Sequence, residues 1–192
     1  IWDLDPLALG DHPGFRPTSD SYVGRPNVVG RLEGTGGGRS LILNAHVDVV
    51  PIEDPARWIA DPWSASVSDG RLFGRGASDM KAGLAAMVWA ARALRRTVRL
   101  RGDVIVESVI EEESTGNGTL AAVLRGYVAD GAVVGEPTSL DFVPGHGGVM
   151  WFEVTVPGLS AHAGYRTRGV NAIEKAMHIY WALREMETRR NV

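Results

Sequence analysis

Apolar residues in this chain gather into short, nearly unbroken runs, each ended by a glycine- or proline-rich break. Leu41 to Val50 is almost continuously aliphatic, and Asp103 to Ile110 repeats that character. Runs of this length suit strands covered on both faces. Asn27 to Leu32 and Ala132 to Gly135 are shorter strand candidates. Between them, Met80 to Leu94 is alanine-rich and helical, and Thr119 to about Val128 gives a second helix. Alternating strands and helices predict an α/β fold with a largely parallel sheet flanked by helices. The stretch up to Arg25-Pro26 is rich in Pro, Gly and Asp and reads as loop.

The pattern changes after Pro144. Gly148 to Val156 predicts an exposed strand, and Asn171 predicts the N-cap of a helix running to about Glu187. Ile173, Ala176, Met177, Tyr180 and Leu183 recur at three- and four-residue spacing, so one face of that helix is expected to be buried. The boundary falls near residue 145. Residues 1–145 form one domain, and 146–192 begin a second that one strand and one helix do not complete.

Composition narrows the function classes. The 192 residues suffice for a sizeable core, and a formal net charge of -3 offers no attraction to nucleic acid or an acidic membrane. No window has the apolar length of a membrane span, and no signal-like segment opens the chain, so a cytoplasmic location is expected. With no cysteine there is neither a disulfide framework nor a thiolate ligand or nucleophile. Trp2 stands at the start with no initiator methionine, which points to a trimmed N-terminus.

The chemistry lies at the breaks. His46, Asp48, Asp79, the run Glu111-Glu112-Glu113, and Glu136 each stand where an apolar run gives way to a turn. In open α/β sheets functional groups collect at the carboxyl ends of strands. One imidazole with several carboxylates suits a divalent metal ion and hydrolysis assisted by it. Residues two apart on a strand share a face, so Asp48 is placed to orient His46. An Asp before a helix ordinarily caps it, but Ser78 can take that role and leave Asp79 free to bridge two metals. Three glutamates at a strand end repel one another unless a cation offsets them. Adjacent residues there project differently, so one can ligate metal while its neighbour serves as general base. Among the other histidines, His12 and His178 read as surface or packing residues, His146 lies at the domain junction, and His162 sits on a loop of small residues.

Taken together, the segments resemble the zinc-dependent aminoacylase/carboxypeptidase family, of acetylornithine deacetylase and succinyl-diaminopimelate desuccinylase type. The matching pieces are His46-Val47-Asp48, Gly74 to Gly83, Glu111-Glu112-Glu113 with Gly118, and Gly135-Glu136-Pro137-Thr138. Gly158 to Gly164 and Gly169 to Ile173 complete the match, which runs in order from about Asn27 onward. The resemblance implies a zinc-exopeptidase-like catalytic domain followed by the start of a smaller α+β lid domain. It implies that His46 and Glu136 hold one zinc, Glu113 the second, and that Asp79 bridges them. Asp48 would orient His46, Glu112 would be the general base, and His162 would stabilise the oxyanion in a partner subunit. A cis peptide between Asp79 and Met80 is also implied.

The implied reaction is hydrolysis of the amide bond of an N-acyl amino acid, nearest to acetylornithine deacetylase, by a homodimer carrying one or two Zn2+, with Co2+ or Mn2+ as alternatives. The family's second metal also takes a histidine from a C-terminal segment beyond Val192. The chain therefore reads as an N-terminal portion with one complete site, unless His146 or His162 substitutes. Two rival readings stay open: a dipeptidase or carboxypeptidase acting on short peptides, and a non-catalytic calcium-type site, against which His46 counts.

Overall fold

The computed structural model describes residues 1–145, 147–148 and 152–190. They form two compact units, Ile1–Val143 and Pro144–Val192.

The first unit is built on a five-stranded mixed sheet. Its strands are β1 (Trp2–Asp3), β2 (Pro26–Leu32), β3 (Leu41–His46), β6 (Val104–Val109) and β7 (Gly131–Val134). They lie in the order β1-β2-β6-β3-β7. β6, β3 and β7 run parallel, with Asn44 opposite both Glu107 and Val134, whereas β2 joins β6 antiparallel and β1 joins β2 antiparallel. A short hairpin, β4 (Ser66–Ser68) with β5 (Arg71–Phe73), stands apart. The helices are α1 (Pro6–Leu9), α2 (Ala82–Thr97) and α3 (Asn117–Leu124).

The aliphatic run from Leu41 predicts a strand to Val50, but pairing stops at His46. β6 ends opposite it at Val109, and only one further bond, from Val47 N–H to the Val109 carbonyl, continues the ladder. The chain then leaves the sheet, and His46 becomes the last residue held by it.

Period-two alternation sends Leu43 and Ala45 of β3 to one face, where they pack with Met80, Met87 and Val104. Each of the larger side chains among them contributes roughly 1.5–3 kcal/mol of hydrophobic stabilisation. Leu4, Leu9, Phe15 and Tyr22 join Ile110 and Ala121 in a second core cluster. The N-terminal stretch has little regular structure, as its composition predicts, yet these four of its apolar residues are core.

Two glycines let elements meet near the site. A Cβ on Gly83, in the first turn of α2, would stand 2.2 Å from the Gly135 carbonyl oxygen; one on Gly118 in α3 would stand 2.1 Å from that of Ile110. Any side chain there would push α2 from Glu136, or α3 from the glutamate run.

In the second unit, α4 (Ala172–Arg190) starts where the sequence predicts. Asn171 Oδ1 accepts the N–H groups of Ile173 at 2.9 Å and Glu174 at 3.3 Å. Two expectations fail here. Of the predicted strand at 148–156, residues 149–151 lie outside the described residues, and 152–156 form no strand. A strand needs a partner, and the only pairing among the unit's described residues is an isolated bridge between Leu159 and Val170. The predicted apolar face of α4 is also not buried, with Ile173 73% exposed and Met177 50%, because the unit's described residues supply no apolar layer opposite it.

Candidate metal centre

His46 closes β3 with a fully buried side chain. Its Nδ1 lies 2.9 Å from the Asp48 carbonyl and 3.5 Å from Asp48 Oδ1. A proton on Nδ1, donated to that carbonyl, leaves the Nε2 lone pair free, which is the tautomer a ligating imidazole needs. Nε2 faces Asp79 Oδ1 at 3.0 Å, Glu112 Oε2 at 3.6 Å and Glu136 Oε1 at 3.8 Å.

The carboxylates arrive from three different segments. Asp79 lies in a wide helical turn, Ala77–Lys81, entered through Gly76 at φ 77° and interrupted by a cis peptide between Asp79 and Met80. Neither Ser78 nor Asp79 caps α2 with its side chain, so the expected capping by Ser78 is absent. The Asp79 carboxylate points instead to His46. Glu136 follows β7, and the glutamate run follows β6.

The run divides sharply. Glu111 adopts a left-handed φ of 66°, and its buried carboxylate turns away to Thr18 Oγ1, Tyr22 Oη at 3.5 Å and Arg25 Nη1 at 3.4 Å. Glu112 and Glu113 face His46. Their ligand atoms fall in two clusters, each within 4.8 Å: His46 with Glu112 and Glu136, and His46 with Asp79 and Glu113. Six of the seven residues singled out for the site therefore converge. Asp48 belongs with them through two bonds the sequence did not disclose: its Oδ1 accepts the Glu112 N–H at 3.2 Å and its Oδ2 the Glu113 N–H at 3.1 Å.

His162 stands in the second unit, exposed, at the head of the 3-10 turn Ala163–Arg168. Its Nδ1 accepts the Gly164 N–H at 3.1 Å, which leaves the ring proton on Nε2. His146 lies outside the described residues.

The electrostatics fit a cation. Burial pulls the His46 imidazole down, but the Asp48 carbonyl and the carboxylates of Asp48, Glu112 and Glu136 outweigh it and hold its pKa above the usual value. Burial, then the Asp79 charge, pushes Glu113 up. Burial, then Glu112, does the same to Glu136. Glu136 Oε1 is buried with no hydrogen-bond partner. An orphaned carboxylate oxygen beside an imidazole lone pair is a donor pair that a divalent ion would satisfy. One nitrogen and several oxygen donors suit zinc, cobalt or manganese.

Beneath the site, on the His46 face of the sheet, lies a layer the sequence reading passed over. Buried Glu107 accepts the Asn44 amide at 2.8 Å, and Asn44 reaches Thr119 Oγ1 at 3.4 Å. The available signal was a lone glutamate inside an otherwise apolar strand. Beside the Asp79 turn runs a groove of about 850 Å³ walled by Trp63, Leu72 and Phe73, with Arg75 and Lys81 among its polar residues.

The chain is similar to known proteins. Residues 42–189 match the sequence model of peptidase family M20/M25/M40. The chain is 41% identical over 181 residues to N-formyl-4-amino-5-aminomethyl-2-methylpyrimidine deformylase of Bacillus subtilis, covering 88% of this chain and 42% of that protein. It is 36% identical over 175 residues to succinyl-diaminopimelate desuccinylase 2 of Ruegeria sp., covering 86% of this chain and 44% of that one. The chain thus spans less than half the length of these relatives. Among solved structures, an aminopeptidase of Bacillus cereus superposes with a TM-score of 0.53 at 22% identity, over 92% of this chain and 44% of that one. An M20 family metallo-carboxypeptidase of Sulfolobus solfataricus gives 0.52 at 24%, over 60% and 26%. These two likenesses show the fold.

Proposed function

The chain belongs to peptidase family M20/M25/M40, and we propose that the protein carrying it is a metal-dependent hydrolase of the amide bond in small N-acyl compounds. The observation that carries this reading is the convergence of Asp79, Glu112, Glu113 and Glu136 on His46, from three separate segments of the chain. On this reading Ile1–Val143 is the catalytic unit and Pro144–Val192 begins the lid.

His46, Asp79, Glu113 and Glu136 are the proposed ligands that would hold the metal, and the family resemblance gives Asp79 the shared role. A divalent ion there, zinc by preference, would polarise the scissile carbonyl and acidify the attacking water. Glu112 takes the proton of that water and passes it to the leaving amine. Asp48 fixes the His46 ring and both glutamate amides. His162, with its proton on Nε2, is the proposed donor to the developing oxyanion in the partner subunit of a homodimeric, cytoplasmic enzyme. Among the described residues no helix is long and apolar enough to cross a membrane. A structural calcium site is disfavoured, since hard oxygen ligands do not call for a buried imidazole with its lone pair inward.

The acyl group is the finer question. Resemblance at the level of motifs favours acetylornithine; the similar proteins named above add a formyl-aminopyrimidine and succinyl-diaminopimelate. Assaying the metal-loaded full-length protein on these three and on a dipeptide separates them. Turnover of an N-acyl compound that is abolished by chelation and restored by zinc is expected. Turnover that survives exhaustive chelation would overturn the reading.

A further inference from the structure

We propose that Glu111 is a positioning residue for the metal centre: its carboxylate ties the N-terminal segment to the glutamate turn and so sets the backbone that carries Glu112 and Glu113. The inference rests on the hydrolase reading above and concerns a residue which that mechanism does not use.

Glu111 is only 8% exposed, although it is the first of three consecutive carboxylates. Its left-handed backbone, which a non-glycine residue rarely adopts, turns its side chain opposite to those of its neighbours. Partners then over-determine that conformation. Thr18 and Tyr22 donate hydroxyl protons to Oε2, and the Arg25 guanidinium pairs with Oε1. The same segment grips the turn downstream. Asn117 Nδ2 donates to the Arg16 carbonyl at 2.7 Å, and the Arg16 N–H donates to Asn117 Oδ1 at 3.2 Å. Asn27 accepts the Ile110 N–H at 3.1 Å and donates to the Gly118 carbonyl at 2.8 Å.

Glu112 and Glu113 therefore ride on a backbone fixed from two sides. Asp48 holds their N–H groups from the metal side, and the Glu111 anchor holds the turn from behind. The outward turn also removes one negative charge from a crowded cluster and neutralises it on Arg25. Without that anchor a turn with one left-handed residue and three adjacent carboxylates has cheaper conformations available, none of which needs to aim both neighbours at His46.

The test uses the full-length protein and does not depend on catalysis alone. Glu111→Ala is expected to speed hydrogen exchange at the amides of Glu112 and Glu113. It should weaken zinc binding and lower kcat on the order of 10²-fold, the scale of a misplacement of about 1 Å, with KM little changed. Glu111→Gln, which keeps an acceptor for Thr18 and Tyr22, should restore most of each loss. Thr18→Val and Arg25→Met lie outside the site and should shift exchange and zinc affinity in the same direction, which keeps the test open if Glu111→Ala does not fold. Lowered thermal stability with zinc affinity and amide exchange unchanged would overturn the proposal. Failure of the hydrolase reading shows separately, as turnover of the unaltered protein that survives exhaustive chelation or as no turnover of any N-acyl compound, whereas the exchange and zinc measurements remain valid without turnover.

Discussion

The Asp48 carboxylate accepts the backbone N–H of Glu113 at 3.1 Å through Oδ2, while Oδ1 takes the Glu112 N–H and lies 3.5 Å from the His46 ring. One residue thus fixes the imidazole, through its backbone carbonyl, and both glutamates, through its carboxylate. Sequence spacing shows only the first of these duties, because the others cross 64 and 65 residues of chain. Asp48→Asn keeps the size and the backbone carbonyl that holds Nδ1, but it turns an NH2 group toward one glutamate amide and removes the negative charge beside the ring. Zinc affinity is expected to fall roughly 10–100-fold, as for other residues that orient a ligating histidine. Competition with a chromogenic chelator measures it, and an unchanged dissociation constant would remove Asp48 from this role.

Glu112→Ala distinguishes a base from a ligand. Glu112 lies in one cluster with His46 and Glu136, so geometry alone permits either duty. As the base, its loss should lower kcat about 10²–10⁴-fold while bound zinc, measured by elemental analysis, stays constant. Metal lost in step with activity would make Glu112 a ligand.

The metal-free protein should become less stable as pH rises. Glu113 and Glu136 have folded pKa values above the ordinary 4.5, so the folded state keeps their protons longer than the unfolded chain does. Their stabilising contribution is present at low pH and is lost as pH rises from 4.5 through the raised values. His46 is raised above 6.5, so its contribution is complete below that pH and is lost as pH rises through its folded pKa. Asp103 and Asp130 are lowered, so they act only below 3.8, outside this range. Zinc displaces these protons, so its affinity should rise with pH and binding should release protons. Calorimetric Tm with chelator, compared at about pH 5.5 and pH 8, checks the first part; zinc titration in buffers of different ionisation enthalpy checks the second. A chelated protein more stable at the higher pH would contradict the assignment.

Glu107→Gln should stabilise the fold near neutral pH. Burial raises the Glu107 pKa, the Asn44 amide offsets part of that, and Oε1 is buried without a partner. Glutamine keeps the acceptor for Asn44 and removes a buried charge, a gain of about 1 kcal/mol. Because the raised carboxyl costs stability only above 4.5, the gain should vanish in acid. Denaturant unfolding at two pH values reads it, and a loss at neutral pH would show that the Glu107 charge is itself stabilising.

What the sequence determined on its own was local. Aliphatic runs bounded by Gly and Pro specified β3 and β6, because a largely buried strand needs apolar residues on both faces, and the short run at 132–135 marked β7, although its residues are exposed. The breaks after those runs located His46, Asp79, the glutamate run and Glu136, since the functional groups of an open sheet sit at strand ends. Asn171 marked the start of α4, because capping is a contact of two or three residues.

Only the tertiary structure decided which way the three glutamates face. A strand's period-two alternation ends where its ladder ends, and beyond Val109 the direction of each side chain follows the left-handed φ of Glu111. That angle is held by Thr18 and Arg25, 93 and 86 residues away in the chain. The same separation hid the N-terminal stretch, whose Pro- and Gly-rich composition reads as loop while Phe15 and Tyr22 pack against Ile110. The apolar stripe of α4 makes the converse point: a periodic face states what a helix can bury, and only an opposing layer decides whether it does.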